Sequence, residues 1–151
     1  MSVTLDASVW LAAISSGERH HARCAELVES LVQHRVPLCQ PGLFVIEVCA
    51  TIARRTRSRS LAMAAGEATL ASPYLRLFPL DHLLASEAAD VAATCALRGA
   101  DAVYVATARH AGATLLTLDA EVHERAAGVV AVQTPEGWLA GVAQHATRDA
   151  T

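Results

Sequence analysis

Val3-Thr4-Leu5-Asp6-Ala7-Ser8-Val9-Trp10-Leu11 carries the grammar on which the rest of the chain is built. A short apolar run of strand length ends in a carboxylate, and an apolar pattern of helical spacing begins directly after it. In an open α/β sheet a polar residue at that point sits in the crevice outside the carboxyl end of a strand, where ligands bind. Leu115-Leu116-Thr117-Leu118-Asp119 repeats the arrangement, again with a helical pattern behind it. Two strands that both end in Asp imply that carboxylates from distant parts of the chain converge on one spot.

Outward from these two stretches, strand and helix patterns alternate. The periodicity predicts helices over 7–14, 18–33, 43–55 and 60–71, with short strands at 36–40 and 74–80. Asp81 is placed to cap a helix that runs to about Leu97 and stops at Gly99, and a further helix spans 100–111 with Gly112 as its end. Strands at 115–118 and 129–133 enclose a short helix over 120–127, and a last turn of helix covers 135–142. Such alternation implies a parallel sheet of five strands covered on both faces by right-handed crossovers. The expected fold is therefore α/β, a three-layer α/β/α sandwich. One domain over 1–142 is expected, followed by a loose polar tail at 143–151.

The composition narrows the chemistry. With 151 residues, 53% hydrophobic and only 4% aromatic, the core is to be built from small aliphatic side chains. No apolar run approaches a membrane span, and no basic leader precedes an apolar segment, so the chain reads as a cytoplasmic protein with no membrane attachment. Cys24, Cys39, Cys49 and Cys95 form no C-x-x-C pair and read as reduced, buried small hydrophobes, while the seven His are scattered. All twelve basic residues are Arg. Without a lysine, Schiff-base catalysis, a Walker A phosphate loop and phosphoryl-aspartate receiver chemistry are excluded. A net charge of −3 excludes indiscriminate binding of polyanions, which then depends on local Arg clusters or metal ions.

Four acids stand out. Asp6 and Asp119 end strands, with the plain alternative that each simply caps the following helix. Glu47 lies in Leu43-Phe44-Val45-Ile46-Glu47-Val48-Cys49-Ala50, where an isolated carboxylate is costly unless it is bound to metal or paired with Arg54 or another Arg. Asp101 opens the helix after Gly99-Ala100, a position the helix dipole alone would favour. Several carboxylates gathered together raise one another's pKa unless a cation neutralises them, and Mg²⁺ or Mn²⁺ is the natural partner of such oxygens. A site of that kind suits hydrolysis of a phosphodiester by activated water. Ser8 and Thr117 can hydrogen-bond a carboxylate or a phosphate, or serve only as cap and strand residues. Arg54, Arg55, Arg57 and Arg59, beyond the helix of Glu47, and Arg98, just before Asp101, are candidates for contact with a phosphodiester backbone; a solvated hairpin tip is the plain reading of the first four.

Asp6-Ala7-Ser8, Glu47, the run Gly99-Ala100-Asp101-Ala102-Val103-Tyr104-Val105-Ala106-Thr107-Ala108, and Leu115-Leu116-Thr117-Leu118-Asp119 together resemble the successive motifs of the PIN-domain family. More narrowly they are similar to the VapC toxins of bacterial toxin–antitoxin pairs, in order and from Val3 to about Leu139. The resemblance implies a metal-dependent endoribonuclease using Mg²⁺ or Mn²⁺, often a homodimer, neutralised by a cognate antitoxin. It implies that Asp6, Glu47, Asp101 and Asp119 form the acidic quartet, with Ser8 and Thr117 at the small polar positions that accompany it. The rival reading is a PIN-like domain that binds RNA or a protein partner without cutting.

Overall fold

Three residues suffice for each central strand, because their side chains are buried on both faces of the sheet. In the computed structural model, which describes residues 1–149, β1 (Val3–Leu5) lies beside β4 (Thr114–Leu116) in parallel register, with Val3 opposite Thr114 and Leu5 opposite Leu116. β2 (Leu38–Pro41) flanks the other side of β1 and pairs with β3 (Leu75–Phe78), while β5 (Val132–Gln133) lies outside β4. All pairings are parallel and the order is β3-β2-β1-β4-β5. β1 and β4 thus flank the point where the strand order reverses, which is where an open α/β sheet forms its ligand crevice. Val3, Leu5, Leu115 and Leu116 are fully buried, the signature of a parallel sheet covered on both sides.

Eight helices complete the α/β/α arrangement among the described residues: α1 (Ala7–Ile14), α2 (His21–Gln33), α3 (Leu43–Thr56), α4 (Arg59–Leu70), α5 (His82–Cys95), α6 (Gly99–Ala111), α7 (Ala120–Ala126) and α8 (Pro135–Asp149). α6 packs across β1, β2 and β4, which explains why its residues Ala102 to Ala108 are all buried. α1 packs on β1, α2 and α3, anchored where Trp10 meets the edge of Phe44 at 5.8 Å between ring centroids. α3 and α4 form a tight hairpin. A Cβ on Gly66 would lie 2.5 Å from the Cys49 sulfur, so only glycine allows that approach. None of the described helices is long and apolar enough to cross a membrane.

Helix ends depart from expectation where the backbone, not the side-chain pattern, decides. α5 stops at Cys95 rather than at Gly99, because Ala96 enters the left-handed region at φ 51° and its N–H closes on Ala92. Gly99 instead opens α6. α2 starts at His21, the residues from Ser15 to His20 forming turns such as Glu18 N–H to Ser15 O. α8 continues to Asp149 beyond the expected end at Val142, since no proline interrupts its hydrogen-bond ladder; residues 150 and 151 of the expected tail lie outside the described residues. All four cysteines are free, and burial pushes the Cys24 thiol up to about 11.

Candidate active site

The carboxyl end of one strand is the amino end of the next helix, so a single Asp there serves both as cap and as crevice residue. Asp6 shows this directly. Its backbone N–H donates to Leu116 O at 2.9 Å, prolonging the β1–β4 ladder, and its Oδ1 accepts from the Ser8 N–H at 3.2 Å to start α1. The other oxygen, Oδ2, accepts from the Thr117 hydroxyl at 2.8 Å. That hydroxyl accepts in turn from the Asp119 N–H at 3.0 Å, and Asp119 Oδ1 caps α7 through Glu121 N at 2.8 Å and Val122 N at 3.2 Å. Thr117, itself fully buried, is therefore the splice between the two strand-end acids.

Glu47 and Asp101 come from two helices, α3 and α6. Neither Arg54 nor Arg55 pairs with Glu47: Arg54 reaches Thr51 Oγ1 at 3.4 Å, and Arg55 pairs with Glu18 at 2.5 Å. The partner of Glu47 is Tyr104, whose hydroxyl donates to Oε2 at 2.5 Å. Tyr104 stands one turn after Asp101 on α6, and i,i+3 spacing places both on one face of that helix. No hydrogen bond reaches the Asp101 carboxylate from the described residues. Burial first, then the nearby carboxylates of Asp6 and Asp119, hold its carboxyl above the usual range; Arg98 opposes this and Glu47 adds to it. Burial, the bond to Glu47 and the surrounding acids likewise push the Tyr104 phenol far above its ordinary value, so it remains a protonated donor.

Asp6, Glu47, Asp101 and Tyr104 line one cavity of about 430 Å³, together with Ser8, Glu18, His20, Arg54 and Arg55. The cavity wall carries both signs of charge: the acids, and two guanidinium groups from the end of α3, of which Arg55 is paired with Glu18 of the same wall. Asp119 does not line it, but is felt there through Asp101 and is tied to Asp6 by Thr117. Of the five arginines proposed for RNA contact, Arg54 and Arg55 reach this cavity and Arg98 acts on Asp101. Arg57 and Arg59 line a different, more apolar groove of about 820 Å³ with Val45, Ile46, Cys49, Ala62 and Met63. Ser8 contributes its backbone N–H to Asp6 and an exposed position on the cavity wall.

Two observations bear on whether this donor set could hold a cation. The upward push on Asp101 is relieved by any cation placed among the acids. Yet among the described residues no group of three or more His, Cys, Asp or Glu side chains is arranged to hold a metal ion directly. A magnesium-like ion keeps several of its waters and takes one or two carboxylates, and the set here fits that mode. Tyr104, Glu18 and His20 were not anticipated as cavity residues. Only the spacing of Tyr104 from Asp101 held a signal in the sequence; Glu18 and His20 arrive through the turns between α1 and α2.

The family model for the PIN domain matches residues 3–129. Among curated proteins none matches. Several solved structures share the fold. VapC20 of Mycobacterium tuberculosis, described as a sarcin-ricin loop cleaving toxin, is 20% identical with a TM-score of 0.67, covering 85% of this chain and 96% of its own. VapBC2 from Rickettsia felis, bound to a DNA fragment from its promoter, is 12% identical with a TM-score of 0.69, over 89% of this chain and 98% of its own. A protein from Pyrobaculum aerophilum is 22% identical with a TM-score of 0.69, over 95% and 90% of the respective chains.

Proposed function

The chain belongs to the PIN domain family, and from that premise we propose that it is a metal-dependent endoribonuclease acting as the toxin of a toxin–antitoxin pair. The observation that carries the reading is the convergence of Asp6, Glu47 and Asp101 from three separate elements on one cavity, with Asp101 held above its normal range by burial first and then by its acidic neighbours. A structural role alone gives no reason to gather like charges at the strand switch point.

In this reading Asp6 and Asp101 hold Mg²⁺ or Mn²⁺ with Glu47 beside them, directly or through water, and Asp119 adds charge through its oxygen not used by the α7 cap. When bound, the ion supplies activation of the attacking water and neutralisation of charge on the phosphate. Thr117 and the Ser8 N–H fix the direction of Asp6, and Tyr104 that of Glu47. Arg54 and Arg55, on the wall of the same cavity, offer planar donors to the RNA backbone. Several structural neighbours are toxin–antitoxin complexes, which supports a protein inhibitor as partner. The groove between α3 and α4 suits an apolar helix of that inhibitor. We further take the active form to be a cytoplasmic homodimer.

The test is cleavage of total cellular RNA by purified protein with Mn²⁺, with EDTA, and after Asp6→Asn or Asp101→Asn. Cutting that needs the ion and disappears in both variants supports the proposal. RNA cut equally in EDTA, or by either variant, refutes it.

A further inference from the structure

The turn between α1 and α2 fixes the backbone of Glu18 from both sides. Its N–H donates to Ser15 O at 3.0 Å, and its carbonyl accepts from the His21 N–H at 3.1 Å. His21 Nδ1 lies 2.9 Å from Ala12 O, which ties the turn back to α1. From there the Glu18 carboxylate crosses to Arg55 in the last turn of α3, with Oε1 2.5 Å from Nη1. Both side chains line the cavity that holds Asp6, Glu47 and Asp101, and both stay open to water, Glu18 at 36% and Arg55 at 47%. A pair so exposed contributes little to folding. Arg54, on the same wall, has no acidic partner among the described residues and reaches Thr51 Oγ1 at 3.4 Å.

We infer that Glu18 stands in for a backbone phosphate: it occupies Arg55 in the free protein, and single-stranded RNA engages Arg55 only by displacing it. The inference rests on the reading of Arg54 and Arg55 as RNA contacts and adds the residue that restrains one of them. A carboxylate and a phosphodiester each present a pair of oxygens to the same planar fork, so the two compete for one guanidinium. The exchange has an ionic signature. An arginine without a protein partner that meets a phosphate releases a counterion condensed on the RNA, which makes affinity fall with salt. When Arg55 leaves Glu18 for a phosphate, the freed carboxylate takes up a cation as the RNA releases one, and the two changes cancel. Arg54 therefore contributes to the salt dependence of the wild-type chain and Arg55 does not, although both touch the strand.

The test is fluorescence anisotropy of a labelled single-stranded RNA titrated with the full chain over a range of NaCl concentrations. EDTA is present throughout, which removes divalent competitors for the phosphates. Glu18→Gln keeps the size of the side chain and removes its charge. It is expected to tighten binding at low salt about 1.5–5-fold, the equilibrium equivalent of an exposed ion pair. It is also expected to steepen the slope of log affinity against log salt by about 0.7, one single-strand phosphate contact. Arg55→Gln and the double variant Glu18→Gln/Arg55→Gln are expected to keep the wild-type slope, since neither has a guanidinium to unmask. An unchanged slope in Glu18→Gln overturns the inference. A steepening that persists in the double variant overturns it too, being the mark of general charge removal, as does a flatter slope in Arg55→Gln alone. Each of these results leaves Arg54 and the RNA reading of the cavity standing. A wild-type chain that binds no RNA at the lowest salt, in EDTA or with Mn²⁺, overturns that reading as well. Both positions are exposed, and melting curves that match wild type show that each variant is folded.

Discussion

Replacing Thr117 by Val tests whether the two strand-end acids are joined by a hydroxyl or merely held by the shape of the sheet. Val keeps the β-branched outline and the volume, so no cavity opens at this fully buried position. What disappears is the donor to Asp6 Oδ2 at 2.8 Å and the acceptor for the Asp119 N–H at 3.0 Å. A hydrogen bond to a charged group contributes about 1.5–3 kcal/mol. Asp119 is exposed, and its N–H regains water, so the second bond contributes only ~0.5–1 kcal/mol. The metal-free variant should therefore lose roughly 2–4 kcal/mol, seen in urea unfolding with EDTA as a lower midpoint at unchanged slope. Thr117→Ser keeps both bonds and loses one buried methyl, at about 1 kcal/mol. Mn²⁺ affinity should drop about 10–100-fold in Val and stay near wild type in Ser, because Asp6 loses its fixed direction only in the former. If Val unfolds at the wild-type midpoint, or Ser is as damaging as Val, the hydroxyl splice is not what holds these acids.

Asp101→Asn should raise the melting temperature of the metal-free protein at neutral pH. The folded carboxyl sits above its unfolded value of 3.8, so the folded state binds the proton more tightly. Stability from this group is complete below that value and is lost as pH rises through the raised folded pKa. The gap between variant and wild type should accordingly be small in acid and open across that window; a gap that is constant with pH counts against the account. Saturating Mn²⁺ should reverse the order, since only wild type gains fully from the ion. Gly66→Ala places a carbon 2.5 Å from the Cys49 sulfur and should cost about 1–3 kcal/mol by overpacking, with most of the loss recovered in Gly66→Ala/Cys49→Ala; independent, additive losses would disprove the contact. Replacing Arg54 and Arg55 by Ala should weaken RNA binding and flatten its salt dependence by up to about 0.7 per lost phosphate contact, while Arg57 and Arg59 replaced together should change neither. Equal effects from the two pairs would undo the division drawn by the structure. Ala96→Gly should stabilise the chain by about 0.5–1 kcal/mol, the left-handed strain at φ 51° outweighing the entropy of glycine; a lower melting temperature would contradict it.

Local rules determined a good deal. Apolar runs of three or four residues followed by helical periodicity specify a covered parallel sheet, because period and burial are properties of consecutive residues. Right-handed crossovers narrow the orders open to that list of elements, and the tertiary structure decides for β3-β2-β1-β4-β5. Asp6 and Asp119 were legible since a strand end and a helix cap coincide in sequence, and Glu47 since a carboxylate in an apolar helix demands a partner. Which partner it takes was not legible: Arg54 is seven residues away on the same helix, yet the bond goes to Tyr104, fifty-seven residues on. That choice depends on how α3 and α6 lie across the sheet, a matter of packing between distant segments. The same holds for the arginines. Arg54, Arg55, Arg57 and Arg59 form one cluster in the chain, but α3 ends at Thr56 and Arg57 turns into the left-handed region, so two side chains face the acids and two face the apolar groove. Sequence proximity fixes charge and composition, whereas direction is set only when the helices pack and the backbone turns between them.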